Sequence, residues 1–178
     1  LLRPLFYIQK SKKETKKIAM INLDVTEKDK DFAKNQIKAF EQIKEGQYRY
    51  TDVEAWRGVV CEMLTGKWLE QNYKVEKPAK GLDSSGVYDD CDMIINSKKV
   101  EIKSATKNYF KYIMPKVANV LGKPKDVYIG VKYNETVEPN VVSIVGFIKH
   151  KEIIKCPIKR NKGAAYYEIP FNTLKQFK

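Results

Sequence analysis

Asp89-Asp90-Cys91-Asp92-Met93-Ile94-Ile95 and, after the polar turn Asn96-Ser97-Lys98-Lys99, Val100-Glu101-Ile102-Lys103 form the stretch that decides the fold. Two short apolar runs on either side of a polar turn predict a β-hairpin. If the turn takes two or four residues, Ile95 pairs with Val100, Ile94 faces Glu101, and Asp92 faces Lys103. Side chains directly opposite share a face, as do residues two apart on one strand. Asp92, Glu101 and Lys103 then converge on one side, while Val100 and Ile102 point into the core. An odd-length turn breaks this arrangement.

Two carboxylates beside a lysine on an otherwise apolar hairpin need compensation, because each buried charge costs several kcal/mol unless it is paired or binds a metal. A hard divalent cation supplies it. Magnesium prefers oxygen ligands and typically takes one or two carboxylates, with waters and phosphate oxygens filling the remaining positions. A lysine there can position or deprotonate the attacking water, or balance charge on the reacting phosphorus. The chemistry that fits is metal-assisted phosphodiester hydrolysis. The competing reading is a surface hairpin with a Lys–Glu–Asp cross-strand cluster in a lysine-rich chain.

Working outward, residues 27–45 read as a helix, with Phe32, Gln36, Ile37, Phe40 and Ile43 as a partial apolar stripe. Asp52 is the expected N-cap of a second helix running to about residue 72. On it, Val53, Trp56, Val60, Leu64 and Trp68 follow the 3, 4, 4, 4 spacing of one buried face. At about 100° per residue, Glu62 falls opposite that stripe, together with Ala55, Gly58 and Gly66. Small residues around one glutamate allow a close backbone approach, which directs Glu62 at the hairpin; the competing reading leaves it in solvent, and Glu54 is the weaker alternative. Residues 77–86 read as a loop. Further strands are expected at 127–131, 141–147 and 166–169, a helix at 109–120 despite Pro115, and a last helical turn capped by Asn172. The order implies an α/β domain with a mixed central sheet flanked by helices.

The 178 residues favour one domain. We divide it into an N-terminal helical extension (1–46) and a core (47–178). The net charge of +12 favours polyanionic partners. Cys61, Cys91 and Cys156 lie far apart without zinc or redox spacing, as expected of thiols in a reducing, cytoplasmic setting. The only histidine is His150, which argues against a catalytic triad or a histidine-rich metal site. No apolar run approaches the ~20 residues that span a bilayer, so no membrane partner is expected. Met20-Ile21-Asn22 is a candidate native start, the stretch before it then coming from an extended reading frame or an expression vector.

Asp92 followed by Glu101-Ile102-Lys103-Ser104 resembles the signature of the PD-(D/E)XK nuclease superfamily, which includes restriction endonucleases, Holliday-junction resolvases and phage nucleases. The resemblance spans most of residues 52–148. It implies a restriction-endonuclease-like core, Asp92 and Glu101 as Mg²⁺ ligands (Mn²⁺ substituting), and Lys103 as the third signature residue. Gly58 and Glu62 are similar to the Gly-x-x-x-Glu of resolvases, which implies Glu62 as a further metal ligand. Cys91 stands where the family often has proline, so Asp90 is a rival to Asp92; Asp92 is preferred because it directly precedes the apolar strand. Glu14-Thr15-Lys16 also fits E-x-K, but in a polar stretch with no strand around it.

The resemblance implies a Mg²⁺-dependent endodeoxyribonuclease of prokaryotic or phage-encoded type, restriction- or homing-like or Holliday-junction-resolving. It acts on duplex or branched DNA, and cutting two strands with one small domain calls for a homodimer. The alternatives are a catalytically inactive nucleic-acid-binding protein on the same scaffold and a basic structural protein with no site. For DNA contacts, the basic and aromatic run Lys107-Asn108-Tyr109-Phe110-Lys111-Tyr112 suits phosphate contact and stacking. The competing reading is a helix with core aromatics and a solvated lysine face. Arg49, in Tyr48-Arg49-Tyr50, is a further phosphate contact. The basic segment 155–162 reads as a loop closing on DNA or as solvated charge.

Overall fold

The computed structural model describes residues 20–43, 54–79, 90–161 and 163–177. In chain order the elements are β1 (Ile21–Asp24), α1 (Glu27–Ile43), α2 (Trp56–Asn72), β2 (Val75–Lys77), β3 (Met93–Ile95), β4 (Lys98–Ala105), β5 (Tyr112–Ile113), α3 (Val117–Gly122), β6 (Val127–Asn134), β7 (Val141–Lys149), α4 (His150–Ile153), β8 (Ile158–Asn161), β9 (Ala164–Tyr167) and β10 (Ile169–Pro170), then a 3-10 turn at Phe171–Thr173. The architecture is mixed α/β.

Six strands form the central sheet in the order β1-β7-β6-β4-β3-β2. Only β4 and β6 run parallel; the other neighbours are antiparallel. Strand alternation divides the core into two layers. Val100 and Ile102 of β4 and Ile129, Val131 and Tyr133 of β6 pack with Val59, Val60, Cys61 and Leu69 of α2. On the other side, Tyr128 of β6 and Val145 and Ile148 of β7 meet Ile113, Val120, Ile153 and Ile169. The sheet is thus covered by α1 and α2 on one face, and by α3, α4 and the C-terminal strands on the other.

Several elements depart from the sequence reading. The N-terminal segment expected as a helical extension also contributes β1, which joins the sheet edge against β7. Residues 75–77 form β2, a strand not expected from the sequence, whose last residue, Lys77, falls in the expected loop 77–86; that loop from residue 80 lies outside the described residues. On α1, Phe32 is exposed and Ala33 and Phe40 make the buried contact. The buried face of α2 is rotated from the expected stripe: Val60 is buried, but Cys61, Thr65, Gly66 and Leu69 join it, while Trp56, Leu64 and Trp68 are only partly covered. Asp52 and Val53 lie outside the described residues. Residues 109–120 are not one helix. Pro115 lacks the N–H an interior helical turn needs, and residues 112–113 pair with β10, so α3 begins only at Val117. Asn172 sits inside the 3-10 turn, whose N-cap is Pro170, and does not cap it.

The two glycines of α2 make opposite predictions. A Cβ at Gly66 would stand 2.6 Å from the Ala79 Cβ, whereas one at Gly58 would rest 3.7 Å from Ser104 Oγ. Gly66→Ala should therefore destabilise by about 1–3 kcal/mol through overpacking, less the helix propensity gained. Gly58→Ala should be neutral or stabilising by up to about 1 kcal/mol. Denaturant unfolding of both variants checks the difference in sign.

Candidate active site

The β3–β4 hairpin turns through two residues, Asn96 (φ 48°) and Ser97 (φ 59°). Two successive left-handed residues make the turn whose twist matches the flanking strands. Lys98 and Lys99 belong to the strand rather than to the turn. Ile95 accordingly pairs with Lys98 and Met93 with Val100, not Ile95 with Val100. The register moves by two residues, so Asp92 stands beside Glu101 rather than opposite Lys103. Parity is preserved, and the three residues keep a common face.

Asp92 follows no regular ladder of its own. Its Oδ2 accepts the Ile102 N–H at 2.6 Å, continuing the β3–β4 pairing through a side chain. The Lys103 ammonium donates to Glu101 Oε1 at 2.5 Å, with 33% and 17% of the two side chains exposed. Among the described residues, no strand pairs with 101–105 on the edge of β4 opposite β6. Burial, and then the neighbouring Glu101 charge, push Asp92 up to about 6, against the pull of Lys103, the Ile102 N–H and Lys77. Burial pushes the Lys103 ammonium down, but Glu101, Asp92 and Glu62 outweigh it, so Lys103 is held above the usual lysine range.

Glu62 is half-buried on α2 and close enough for its charge to act on Lys103. Among the described residues, however, no three His, Cys, Asp or Glu side chains stand together as an ion-holding group. Glu62, expected as a further metal ligand, is thus near enough to the Asp92–Glu101–Lys103 cluster for its charge to reach Lys103, without closing on the two carboxylates as a three-acid group. Glu54 is committed to Arg57 Nε at 2.6 Å. The rival Asp90 is exposed, hydrogen-bonded to Lys99 and 3.8 Å from Lys125. Those lysines hold it below the usual carboxylate range, the Lys99 hydrogen bond first. All three cysteines are free.

Compared with known proteins, the chain matches no family model, no curated protein and no solved structure.

Two features of the site escaped the sequence reading. Lys77 donates to the Cys91 carbonyl oxygen at 2.6 Å, and its charge draws Asp92 down. A three-residue strand carries too little pattern to place that lysine beforehand. Arg57 ties α2 to the segment after β4: its Nη1 donates to the Thr106 carbonyl at 3.3 Å and to Glu135. Glu135 and Asn108 then exchange hydrogen bonds, Glu135 N–H to Asn108 Oδ1 at 3.3 Å and Asn108 N–H to Glu135 Oε1 at 3.5 Å. An arginine before a glycine in a helix gives no signal of such a partner far along the chain.

Of the expected DNA contacts, Tyr109 and Lys111 are exposed, and Lys107 is half-buried with its charge acting on Glu135. The alternative of a helix with core aromatics does not hold, because Tyr109, Phe110 and Tyr112 are exposed and not helical. Arg49 lies outside the described residues. The basic segment from 155 is not an open loop: Ile158–Asn161 forms β8, fully exposed and paired with β9.

Proposed function

We propose that this chain is a metal-dependent endodeoxyribonuclease with a restriction-endonuclease-like core, and that Asp92, Glu101 and Lys103 are its catalytic residues. The observation that carries the reading is the pair of adjacent carboxylates, Asp92 and Glu101, beside the Lys103 ammonium at the end of the β3–β4 ladder. Two carboxylates close enough that one raises the pKa of the other offer a hard-oxygen donor pair and a net negative charge. That is the chemistry of a Mg²⁺ site. Asp92 and Glu101 would hold the ion, and the chemistry it would supply is a lowered pKa for a bound water and polarisation of the phosphoryl oxygen.

The remaining roles belong to the chain. The Ile102 N–H fixes the Asp92 carboxylate. Lys103, hydrogen-bonded to Glu101, would act on the attacking water or on the charge developing on phosphorus. Glu62 supplies further negative charge that keeps Lys103 protonated. Cleavage of both strands of a duplex calls for two copies of this site, and hence a symmetric dimer.

The test is incubation with duplex, branched and single-stranded DNA, with Mg²⁺ and with EDTA. Mg²⁺-dependent cleavage that is lost in Glu101→Gln supports the reading; cleavage in EDTA, or equal cleavage by the variant, refutes it. Binding is expected to weaken steeply with salt, each neutralised phosphate contributing about −0.9 to the log–log slope on duplex DNA. A slope near zero shows that the lysines of this +12 chain do not meet phosphate.

A further inference from the structure

Beyond the carboxylates, residues 109–116 present a run of exposed aromatic side chains, part of it on hydrogen-bonded extended backbone. From Tyr112 to Lys116 burial alternates: Tyr112, Met114 and Lys116 face solvent, while Ile113 and Pro115 are buried. Ile113 and Tyr112 pair with Ile169 and Pro170. The Tyr167 N–H donates to the Pro115 carbonyl at 3.0 Å, and Lys116 bridges Tyr166. The backbone is thus hydrogen-bonded on its inner side, and Tyr112, Met114 and Lys116 lie exposed on the outer one. Just before it, Tyr109 is 71% and Phe110 41% exposed, with ring centroids 4.7 Å apart and the rings edge to face. The base of that loop is held by the Arg57–Glu135–Asn108 hydrogen bonds.

The platform adjoins the site. A Cβ at Gly130 would lie 3.5 Å from Ile113 Cδ1, and Gly130 is the register partner of Lys103. Lys107 and Lys111 interleave with the aromatics.

We propose that this strip binds unpaired nucleotides beside the carboxylates, with bases stacking on Tyr109, Phe110 and Tyr112 and phosphates meeting Lys107 and Lys111. The inference rests on the nuclease reading and specifies its substrate: DNA with a single-stranded or splayed segment, in preference to an intact duplex. Lysines alone serve either form. Exposed aromatic rings reward only bases whose faces are free, since paired bases in a duplex are already stacked on each other. The charge of +12 selects a polyanion over an uncharged apolar partner.

The test is fluorescence anisotropy in EDTA with three probes of about 16 nucleotides: a single strand, the matching duplex, and an abasic strand of the same charge. The parent should bind the single strand more tightly than either of the others. Tyr109→Ala/Phe110→Ala should weaken single-strand binding by roughly 5- to 100-fold and leave duplex binding nearly unchanged. Equal binding of the abasic and normal strands by the parent overturns the proposal, whatever the folding of any variant. So does undiminished single-strand binding by the double variant, or by Tyr109→Ser alone if the double variant does not fold. If the variants instead lose self-association or binding to anionic vesicles while keeping single-strand affinity, the strip is a protein or membrane face and the proposal is wrong. Mg²⁺-dependent cleavage without base-dependent binding sinks this inference alone. Base-dependent binding without cleavage of any DNA sinks the nuclease reading and leaves the platform standing.

Discussion

Asp92→Asn is expected to abolish cleavage and, without metal at pH 7, to melt at a higher temperature than the parent. In the folded chain, burial and then the neighbouring Glu101 charge push the Asp92 carboxyl up to about 6, from an ordinary aspartate value of about 4. A raised carboxyl pKa means that the folded state holds the proton more tightly than the unfolded one. Ionising Asp92 therefore costs stability. The cost sets in as pH rises from about 4, is complete above about 6, and is on the order of a few kcal/mol at about 1.4 kcal/mol per unit. The asparagine removes that cost and can still accept the Ile102 N–H through its carbonyl oxygen. A rise of several degrees is expected, since about 1 kcal/mol moves the midpoint of a domain this size by roughly 2–4 °C.

Asp92→Ala separates the two effects, for it removes the charge and also orphans the Ile102 N–H, a loss of about 1–3 kcal/mol. It should melt below Asp92→Asn at every pH. Below about pH 4 the advantage of Asp92→Asn over the parent should vanish. Thermal melts of the three proteins in EDTA across pH 4–8 check both the sign and the window. A parent that melts above Asp92→Asn at pH 7 contradicts the electrostatic account of the site.

The second large effect is at Lys103. Lys103→Ala should cut on the order of 10²–10³ slower in a single turnover, the usual loss when one group stabilising transition-state charge is removed. Its affinity for DNA in Ca²⁺ should stay close to that of the parent, because the carboxylates remain to take the ion. By contrast, Lys111→Ala, an exposed lysine, should weaken binding modestly and leave the rate on bound DNA nearly intact. Paired gel-shift and single-turnover assays decide this. A Lys103→Ala protein that fails only because it no longer binds makes the hairpin a DNA-contact element.

The hairpin was legible because alternation of apolar and charged residues around a short polar turn fixes which side chains share a face, whatever even number of residues the turn takes. The turn length itself was not legible. Lys98 and Lys99 look like turn residues, yet Asn96 and Ser97 take the left-handed conformations alone. The buried face of α2 was misplaced because the helix is covered on more than one side: Gly66 meets Ala79 while Cys61 and Leu69 enter the core. A stripe drawn through the largest residues, Trp56 and Trp68, then misses the contacts made by the small ones. Residues 109–120 carry aromatics at spacings that suit a helix, but pairing with β10 and β9 draws the backbone straight. Those partners lie some fifty residues on, beyond any local pattern. β1 and β2 are too short to announce themselves, and only the sheet edges they join give them a conformation.

The central claim is that Asp92 and Glu101 hold a divalent cation, and Mn²⁺ titration by calorimetry tests it most directly. Near pH 6, run in two buffers of different ionisation enthalpy, it reads affinity and proton release together. Metal binding displaces protons from its ligands, and Asp92 is partly protonated at that pH. The parent is predicted to bind Mn²⁺ with release of a fraction of a proton that shrinks toward pH 8, and Asp92→Asn and Glu101→Gln to lose the binding. Mn²⁺ binding of equal strength in all three proteins, or none in the parent with or without DNA, would contradict the account.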